Sequence, residues 1–163
     1  MFHIERIDNE RIDELLVMMK ERANWLNQNE KRMWDLDKLT KNEIIKRYDE
    51  PELYLSYDDK EKVGGFILIH YDKNFWKDRI GEKALYIHKF VVRLGYGKRG
   101  YSDKMIEWIK IHAMELGKDY VRLDYMKDRE YLRMMYSKNG FEDIDELKLA
   151  NGDIMIKAEY KMA

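Results

Sequence analysis

From Phe2 to Ile7 apolar and polar residues alternate, which is the period of a half-buried strand. Ile12, Leu15, Leu16 and Met19 then recur at helical spacing behind a capping residue at Asp8 or Asn9. Past Trp34, Thr40-Lys41-Asn42-Glu43 has the spacing of a capping box. Ile44, Ile45 and Tyr48 give this second helix one apolar face before Pro51 closes it. Leu53 to Tyr57 and Val63 to Tyr71 read as strands joined by the charged turn Asp58-Asp59-Lys60-Glu61-Lys62, and Ala84 to Arg93, rich in β-branched and aromatic residues, reads as another. These strands are expected in one antiparallel sheet. The long loop before the glycine-rich stretch is Asp72 to Lys83.

The pattern then changes to a glycine-rich turn, Gly95-Tyr96-Gly97-Lys98-Arg99-Gly100, followed directly by a helix marked by Met105, Ile106, Trp108, Ile109, His112, Ala113 and Leu116 that stops at Gly117. Tyr120 to Met126 is a further strand, so the crossover predicts parallel neighbours. Leu132, Met135 and Tyr136 give a short helix ended by Asn139-Gly140. Leu147 to Ala150, Asn151-Gly152 and Asp153 to Ile156 form a hairpin signal suited to a type I′ turn. The predicted order is β-α-α-β-β-β-α-β-α-β-β, a mixed α/β fold.

Composition narrows the function. With 163 residues and 45% hydrophobic content, one folded domain over 1–163 is expected. Lys and Arg number 31 against 32 Asp and Glu, a balance that disfavours nucleic acid or anionic membrane as partner and points to small molecules or proteins. The absence of cysteine excludes disulfides, a thiolate nucleophile and a cysteine zinc site. His3, His70, His88 and His112 lack ligand spacing, so no metal is expected. The opening Met1-Phe2-His3-Ile4-Glu5-Arg6 has no secretory apolar run, and Val63 to Ile69 is too short to span a bilayer, so a cytoplasmic location is expected.

A glycine loop entering a helix exposes backbone N–H groups at the positive end of the helix dipole, a ready phosphate site to which Lys98 and Arg99 add charge. The same loop also serves as a plain turn. Gly95-x-Gly97-x-x-Gly100 has the letters of a dinucleotide fingerprint but follows several antiparallel strands rather than the first strand of a βαβ unit, and no Gly-Lys-Ser/Thr occurs.

The stretch Val91-Val92-Arg93-Leu94-Gly95-Tyr96-Gly97-Lys98-Arg99-Gly100-Tyr101-Ser102-Asp103-Lys104-Met105-Ile106 resembles motif A of the GNAT superfamily of acetyl-CoA-dependent N-acetyltransferases. Its core there is Arg/Gln-x-x-Gly-x-Gly/Ala. Gly100 matches the central glycine, Gly97 stands where Arg or Gln is usual, and Ser102 replaces the last small residue. Tyr120-Val121-Arg122-Leu123-Asp124 and Tyr136-Ser137-Lys138-Asn139-Gly140-Phe141 resemble the family's motif B, and Ala23-Asn24-Trp25-Leu26 with Met33-Trp34 is similar to a segment of a bacterial subgroup with largely unassigned substrates.

The resemblance covers nearly the whole chain. It implies an acyl-CoA N-acyltransferase fold, a mixed sheet of about six or seven strands flanked by about four helices. It also implies acetyl-CoA as co-substrate, with pantetheine along Phe90, Val91 and Val92 and pyrophosphate on the amides of Lys98, Arg99, Gly100, Tyr101, Ser102 and Asp103. Arg129 stands where many members place a CoA-contacting Asn.

Acetyl transfer to an amine needs a neutral nucleophile, a polarised thioester carbonyl and a proton for the leaving thiolate. Tyr136 matches the family tyrosine that donates to the CoA sulfur; its structural alternative is packing one turn from Leu132. Asp124 aligns with an acidic base in some members, the alternative being a strand carboxylate paired with Arg122 or Lys127. His88 is a second candidate base, with packing as its alternative. A backbone N–H of Val91 or Val92 serves as oxyanion donor. Trp25, Trp34, Tyr48, Phe75 and Trp76 fall where the family builds its acceptor side and are expected either to wall a pocket for a cationic amine or to pack as core. The expected activity is N-acetylation of a small primary amine in a ternary complex; a non-catalytic CoA- or partner-binding protein and a protein N-acetyltransferase stand beside it. The final hairpin offers an edge for a homodimer.

Overall fold

The computed structural model describes all residues 1–163, and its elements follow the order expected. They are β1 (Phe2–Ile7), α1 (Ile12–Gln28), α2 (Lys41–Arg47), β2 (Glu52–Asp58), β3 (Glu61–Ile69), β4 (Ala84–Val92), α3 (Tyr101–Glu115), β5 (Tyr120–Met126), α4 (Glu130–Lys138), β6 (Glu142–Lys148) and β7 (Ile154–Lys161). Hydrogen-bonded neighbours run β1-β2-β3-β4-β5-β7-β6, seven strands. Contacts divide the chain into two compact units, Met1–Ile69 with Ile87–Trp108, and His70–Tyr86 with Ile109–Ala163.

In the first unit, the Asp8 carboxylate accepts from the Glu10 amide at 3.0 Å to open the turn that leads into α1, and Thr40 Oγ accepts from the Glu43 amide at 3.2 Å to start α2. Leu15, Leu16, Met19, Ala23 and Leu26 of α1 are buried. Leu15 lies directly over Gly65 of β3, where a Cβ would collide with it, so the glycine lets the helix settle onto the sheet. Successive strand residues face opposite sides. Tyr54 and Phe66, paired across β2 and β3, therefore turn away from α1 and meet Trp108 of α3, at 5.2 and 6.0 Å between ring centres.

In the second unit, β4 pairs in parallel with β5 over Ala84–Tyr120, Leu85–Val121 and Tyr86–Arg122, while β7 lies antiparallel to β5 and β6. Tyr125 of β5 meets Tyr136 of α4 at 5.7 Å, and Tyr136 meets Phe141 at 5.8 Å. Arg122 is wholly buried. It donates to Glu82 at 2.9 Å, Glu159 at 3.0 Å and Tyr86 at 3.3 Å, and its guanidinium lies 4.3 Å from the Tyr120 ring centre and 5.1 Å from that of Trp76.

The hairpin turn differs from the expected type I′. Gly152 donates to the Leu149 carbonyl at 3.0 Å, and only Gly152, at φ 95°, is left-handed, which puts Ala150 and Asn151 at the turn centre. Asn151 is held instead by its side chain, which accepts from the Asp153 amide and donates to the Asp153 carboxylate, both at 3.0 Å. The outer strand β6 carries Glu142, Asp143, Asp145 and Glu146, a row of carboxylates that opposes pairing of two copies along this edge. No helix is long and apolar enough to cross a membrane.

Candidate functional site

Strand β4 leaves its neighbour early. Pairing with β5 ends at Tyr86, so the edge of residues 87–92 that faces away from β3 is not used by that ladder. Within this stretch Lys89 has φ 50°, a left-handed backbone in the middle of a strand. Two peptide planes then fix what the end of β4 presents. The Val91 carbonyl lies against Gly64 of β3, where a Cβ would collide with it and approach Ser56 Oγ to 3.2 Å. The next N–H, that of Val92, is in the same trans peptide and points the opposite way. The Arg93 amide donates to the Val63 carbonyl at 2.8 Å, so by the same geometry the Val92 carbonyl also points away from β3, where Arg22 Nη2 of α1 donates to it at 2.7 Å. The Arg22 guanidinium rests over the ring of the exposed Trp25, 5.6 Å from its centre.

The loop after β4 is built from positive-φ residues. The Tyr96 amide bonds the Arg93 carbonyl at 3.1 Å across a turn with Gly95 at φ 89°, and Lys98 at 61° and Gly100 at 80° turn the chain into α3. The first intrahelical bond is Lys104 to the Gly100 carbonyl at 3.1 Å, so the amides of Tyr101, Ser102 and Asp103 stand at the start of a fifteen-residue helix without acceptors in it. A Cβ at Gly95, Gly97 or Gly100 meets nothing within 4 Å. Tyr96 braces the loop, its hydroxyl on Glu61 at 2.9 Å and its ring under Arg93 and Arg99 at 5.5 and 5.2 Å. The Tyr101 side chain turns back to donate to Asp58 at 2.6 Å, leaving its amide at the helix start.

The other candidates in this unit sit near α2. The His88 imidazole meets the Tyr48 ring at 4.8 Å between centres, tilted by 37°, and the Lys89 ammonium lies 5.8 Å from the Trp34 ring centre. Phe90 is half-buried, 6.2 Å from Phe66.

In the second unit Asp124 is half-buried on β5. Its suggested structural partners bond elsewhere: Arg122 to Glu82 and Glu159, and Lys127 to Glu146 at 2.8 Å. The Asp124 carboxylate instead comes within 4.8 Å of that of Asp72, a buried residue whose Oδ1 accepts from the amides of Asn74 at 3.0 Å and Phe75 at 3.3 Å. Across the ladder Asp124 faces Lys157, whose ammonium lies 3.4 Å from Asp78. Tyr136 is buried near the end of α4; burial above all, and then the negative charge of Asp124, pushes its phenol well above the usual tyrosine range. It is therefore a protonated donor at neutral pH. Arg129 lies buried at the N-cap of α4 and pairs with Asp128 at 2.8 Å.

Trp76 is fully buried, with the Arg122 and Lys157 cations 5.1 and 5.2 Å from its ring centre, so it takes the core alternative rather than the pocket wall. Arg22, Lys89 and Asp72 escape sequence reasoning. Their one trace is local: Arg22 three residues before Trp25, and Asp72 two before Asn74 in the spacing of an Asx turn.

Comparison with known proteins agrees with this architecture. The sequence profile of the Acetyltransferase (GNAT) family matches residues 14–141. The uncharacterized N-acetyltransferase YesJ of Bacillus subtilis is 25% identical over 143 residues, 83% of this chain and 77% of its own. A GNAT-family acetyltransferase structure from Listeria monocytogenes superposes with a TM-score of 0.74 at 19% identity, over 99% of this chain and 95% of that one. The PaiA N-acetyltransferase of Thermoplasma acidophilum, solved in complex with coenzyme A, gives 0.71 at 13% identity over 99% of each chain. The chain belongs to the acetyltransferase (GNAT) family and is an acetyl-CoA-dependent acyltransferase.

Proposed function

We propose that this protein transfers the acetyl group of acetyl-CoA to the primary amine of a small molecule, by direct attack within a ternary complex, its 163 residues acting as one cytoplasmic domain. The observation that carries this reading is the end of β4. Val92 presents its N–H away from β3 just before a loop of left-handed residues and the amides of Tyr101 to Asp103, an arrangement suited to a pantetheine arm that ends in a pyrophosphate.

In this reading the Val92 N–H donates to the thioester oxygen as negative charge grows on it. Asp124 takes the proton of the incoming ammonium, with His88 as the competing base, and the amine nitrogen forms its bond to the acyl carbon. Tyr136 gives its proton to the departing thiolate; the raised pKa keeps that proton in place until the carbon–sulfur bond breaks. The loss of a side chain at Gly97 is tolerated because backbone amides meet the pyrophosphate.

Calorimetric titration with acetyl-CoA tests the reading. Binding on the order of micromolar is expected for wild type and none for Gly100→Val, a β-branched residue placed at φ 80° in the loop. CoA thiol release that requires an amine, slows in Tyr136→Phe and responds to Asp124→Asn more than to His88→Gln completes the case. Binding without acceptor-dependent release would turn the reading to a CoA-binding protein.

A further inference from the structure

Two charged pairs face each other across β5 and β7 in the second unit, Arg122 with Glu159 and Asp124 with Lys157. Members of such a pair stand on the same face of the sheet with Cβ atoms about 4.5–5.5 Å apart, and residues two apart on a strand share that face. The first pair closes on itself, Arg122 donating to Glu159 at 3.0 Å. In the second, the Lys157 ammonium turns instead to Asp78, 3.4 Å away, and lies 5.2 Å from the Trp76 ring centre. Trp76 is fully buried and the Lys157 side chain is 7% exposed, so this cation is held against the loop between β3 and β4 rather than in water.

That placement bears on the proposed base. Asp124 is half-buried, its Oδ2 is shut off from solvent, and the Asp72 carboxylate comes within 4.8 Å of its own. Burial and a neighbouring carboxylate both favour the protonated form, in which Asp124 cannot take a proton. A cation counters both. In direct contact it would bond the oxygen that must receive the proton; one step away it supplies its field without bonding that oxygen. The reach of the Lys157 charge is visible at Asp78. That side chain is 56% exposed, yet against the desolvation that would raise it, the charge of Lys157 and then a backbone hydrogen bond hold its carboxyl below the usual carboxylate range.

We propose that Lys157 is a positioning residue for the base, its ammonium held by Asp78 and Trp76 so that Asp124, its partner across the ladder, stays a carboxylate at neutral pH. The inference rests on the acetyl transfer, and on the role of Asp124, proposed above. Within this unit the titratable groups around Asp124 are Asp72 of the loop before β4, Tyr136 of α4, whose phenol responds to the Asp124 charge, and Lys157 of β7. Arg122, next along the same face, is matched by Glu82 and Glu159.

The test reads Asp124 in two ways. First, its carboxyl is titrated by carboxyl-carbon NMR of aspartate-labelled protein, the signal being assigned by its loss in Asp124→Asn. Lys157→Met, which keeps the length of the side chain without its charge, should raise the midpoint by about one pH unit or more, and Lys157→Arg should leave it near wild type. Calorimetry with acetyl-CoA reports whether each variant is folded, and Lys157→Gln replaces Lys157→Met if the latter is not. Second, kcat/KM is followed against pH by thiol release from acetyl-CoA, with whichever of propylamine, ethanolamine and putrescine turns over fastest. His88→Gln is the background, so that the competing base makes no contribution. The base acts as a carboxylate, so loss of the cation should move the acidic limb to higher pH by the same interval, about tenfold in kcat/KM per pH unit below the limb. The plateau above it should stay near wild type. A residue that only packs would lower the plateau and leave the limb in place.

An Asp124 midpoint unmoved by loss of the Lys157 charge overturns the inference. A moved midpoint with an unmoved limb also overturns it, because Asp124 is then not the base that Lys157 serves, and acetyl transfer itself is left intact. If acetyl-CoA binds and no amine is acetylated, the proposed activity fails separately, and the NMR midpoint alone decides whether Lys157 keeps Asp124 ionised.

Discussion

The two units use charge in opposite ways. In Met1–Ile69 with Ile87–Trp108, the candidate cofactor surface is made of main chain: the Val92 N–H, the left-handed turn at Lys98 and Gly100, and the amides at the start of α3. In His70–Tyr86 with Ile109–Ala163 the work is done by buried side chains: Arg122 among Glu82, Glu159 and Tyr86, the Asp72–Asp124 carboxylates, and the phenol of Tyr136. A surface of amides tolerates exchange of side chains at Gly97 and Ser102, provided the backbone keeps its path. A site of buried side chains tolerates neither loss nor substitution.

The largest effect expected follows from that contrast. Arg122→Met keeps the length and apolar bulk of the side chain but leaves the part-buried Glu159 carboxylate and the buried Tyr86 hydroxyl without their donor, while Glu82, 37% exposed, turns to water. Removing the buried member of such a network costs about 3 kcal/mol, the low end for a buried pair. Chemical denaturation should show a loss of this order, and a loss below about 1 kcal/mol would mean that the network is no stronger than a surface ion pair.

Tyr136→Phe removes one hydroxyl from the second unit. A positioned general acid contributes about a hundredfold or more to rate, so kcat should fall by about that factor while the KM for acetyl-CoA stays near wild type. The direction of the pKa shift adds a pH test. Because burial holds the phenol above its ordinary value near 10, the acid form persists as pH rises, and no alkaline limb should appear in kcat below about pH 10. An alkaline limb that vanishes in Tyr136→Phe would place the titration of this residue lower than its burial predicts.

Gly64→Ala probes the backbone-built unit in the same currency. The added methyl group collides with the Val91 carbonyl and crowds Ser56, so β4 must move just where it carries the Val92 N–H. Overpacking of this kind costs about 1–3 kcal/mol, and acetyl-CoA affinity should fall with it, on the order of tenfold. Unchanged affinity would show that the strand can shift without disturbing the surface it presents.

The element order was legible because each element announces itself locally: the Thr40 cap, the closing glycines at Gly117 and Gly140, the strand alternation of Phe2–Ile7. The backbone features that make the candidate site were not. Gly64 and Gly65 read as weak points in a strand, yet one admits the Val91 carbonyl and the other admits Leu15, contacts that join residues far apart in sequence. The left-handed turn at Lys89 has no glycine or asparagine to mark it, because tertiary contacts rather than local preference hold it. Trp76 was ambiguous for a related reason: an aromatic in a long loop looks the same whether it walls a pocket or packs between Arg122 and Lys157. Tyr136 and Asp124 could be named in advance only because family resemblance supplied roles that spacing alone leaves open.

The smallest effect lies with a charge of the first unit. Glu14 of α1 bonds Arg11 at 2.6 Å and Lys62 at 2.7 Å, and hydrogen bonds from Arg11 and then Lys62 hold its carboxyl at about 2, below the ordinary 4.5. A carboxylate whose pKa is lowered by folding contributes stability that is complete above the unfolded value and fades as pH falls toward the folded one. Glu14→Gln should therefore cost at most about 1 kcal/mol at neutral pH, as exposed pairs do, and the gap from wild type should close between about pH 4.5 and pH 2. Thermal melts of both proteins across that window decide it. If the gap were as large as that of Arg122→Met, or did not close with acid, the first unit would rest on charged side chains as the second does, and the contrast between them would fail. A small, acid-sensitive gap places the exposed charges of this unit outside its essential structure and leaves its candidate function to the backbone.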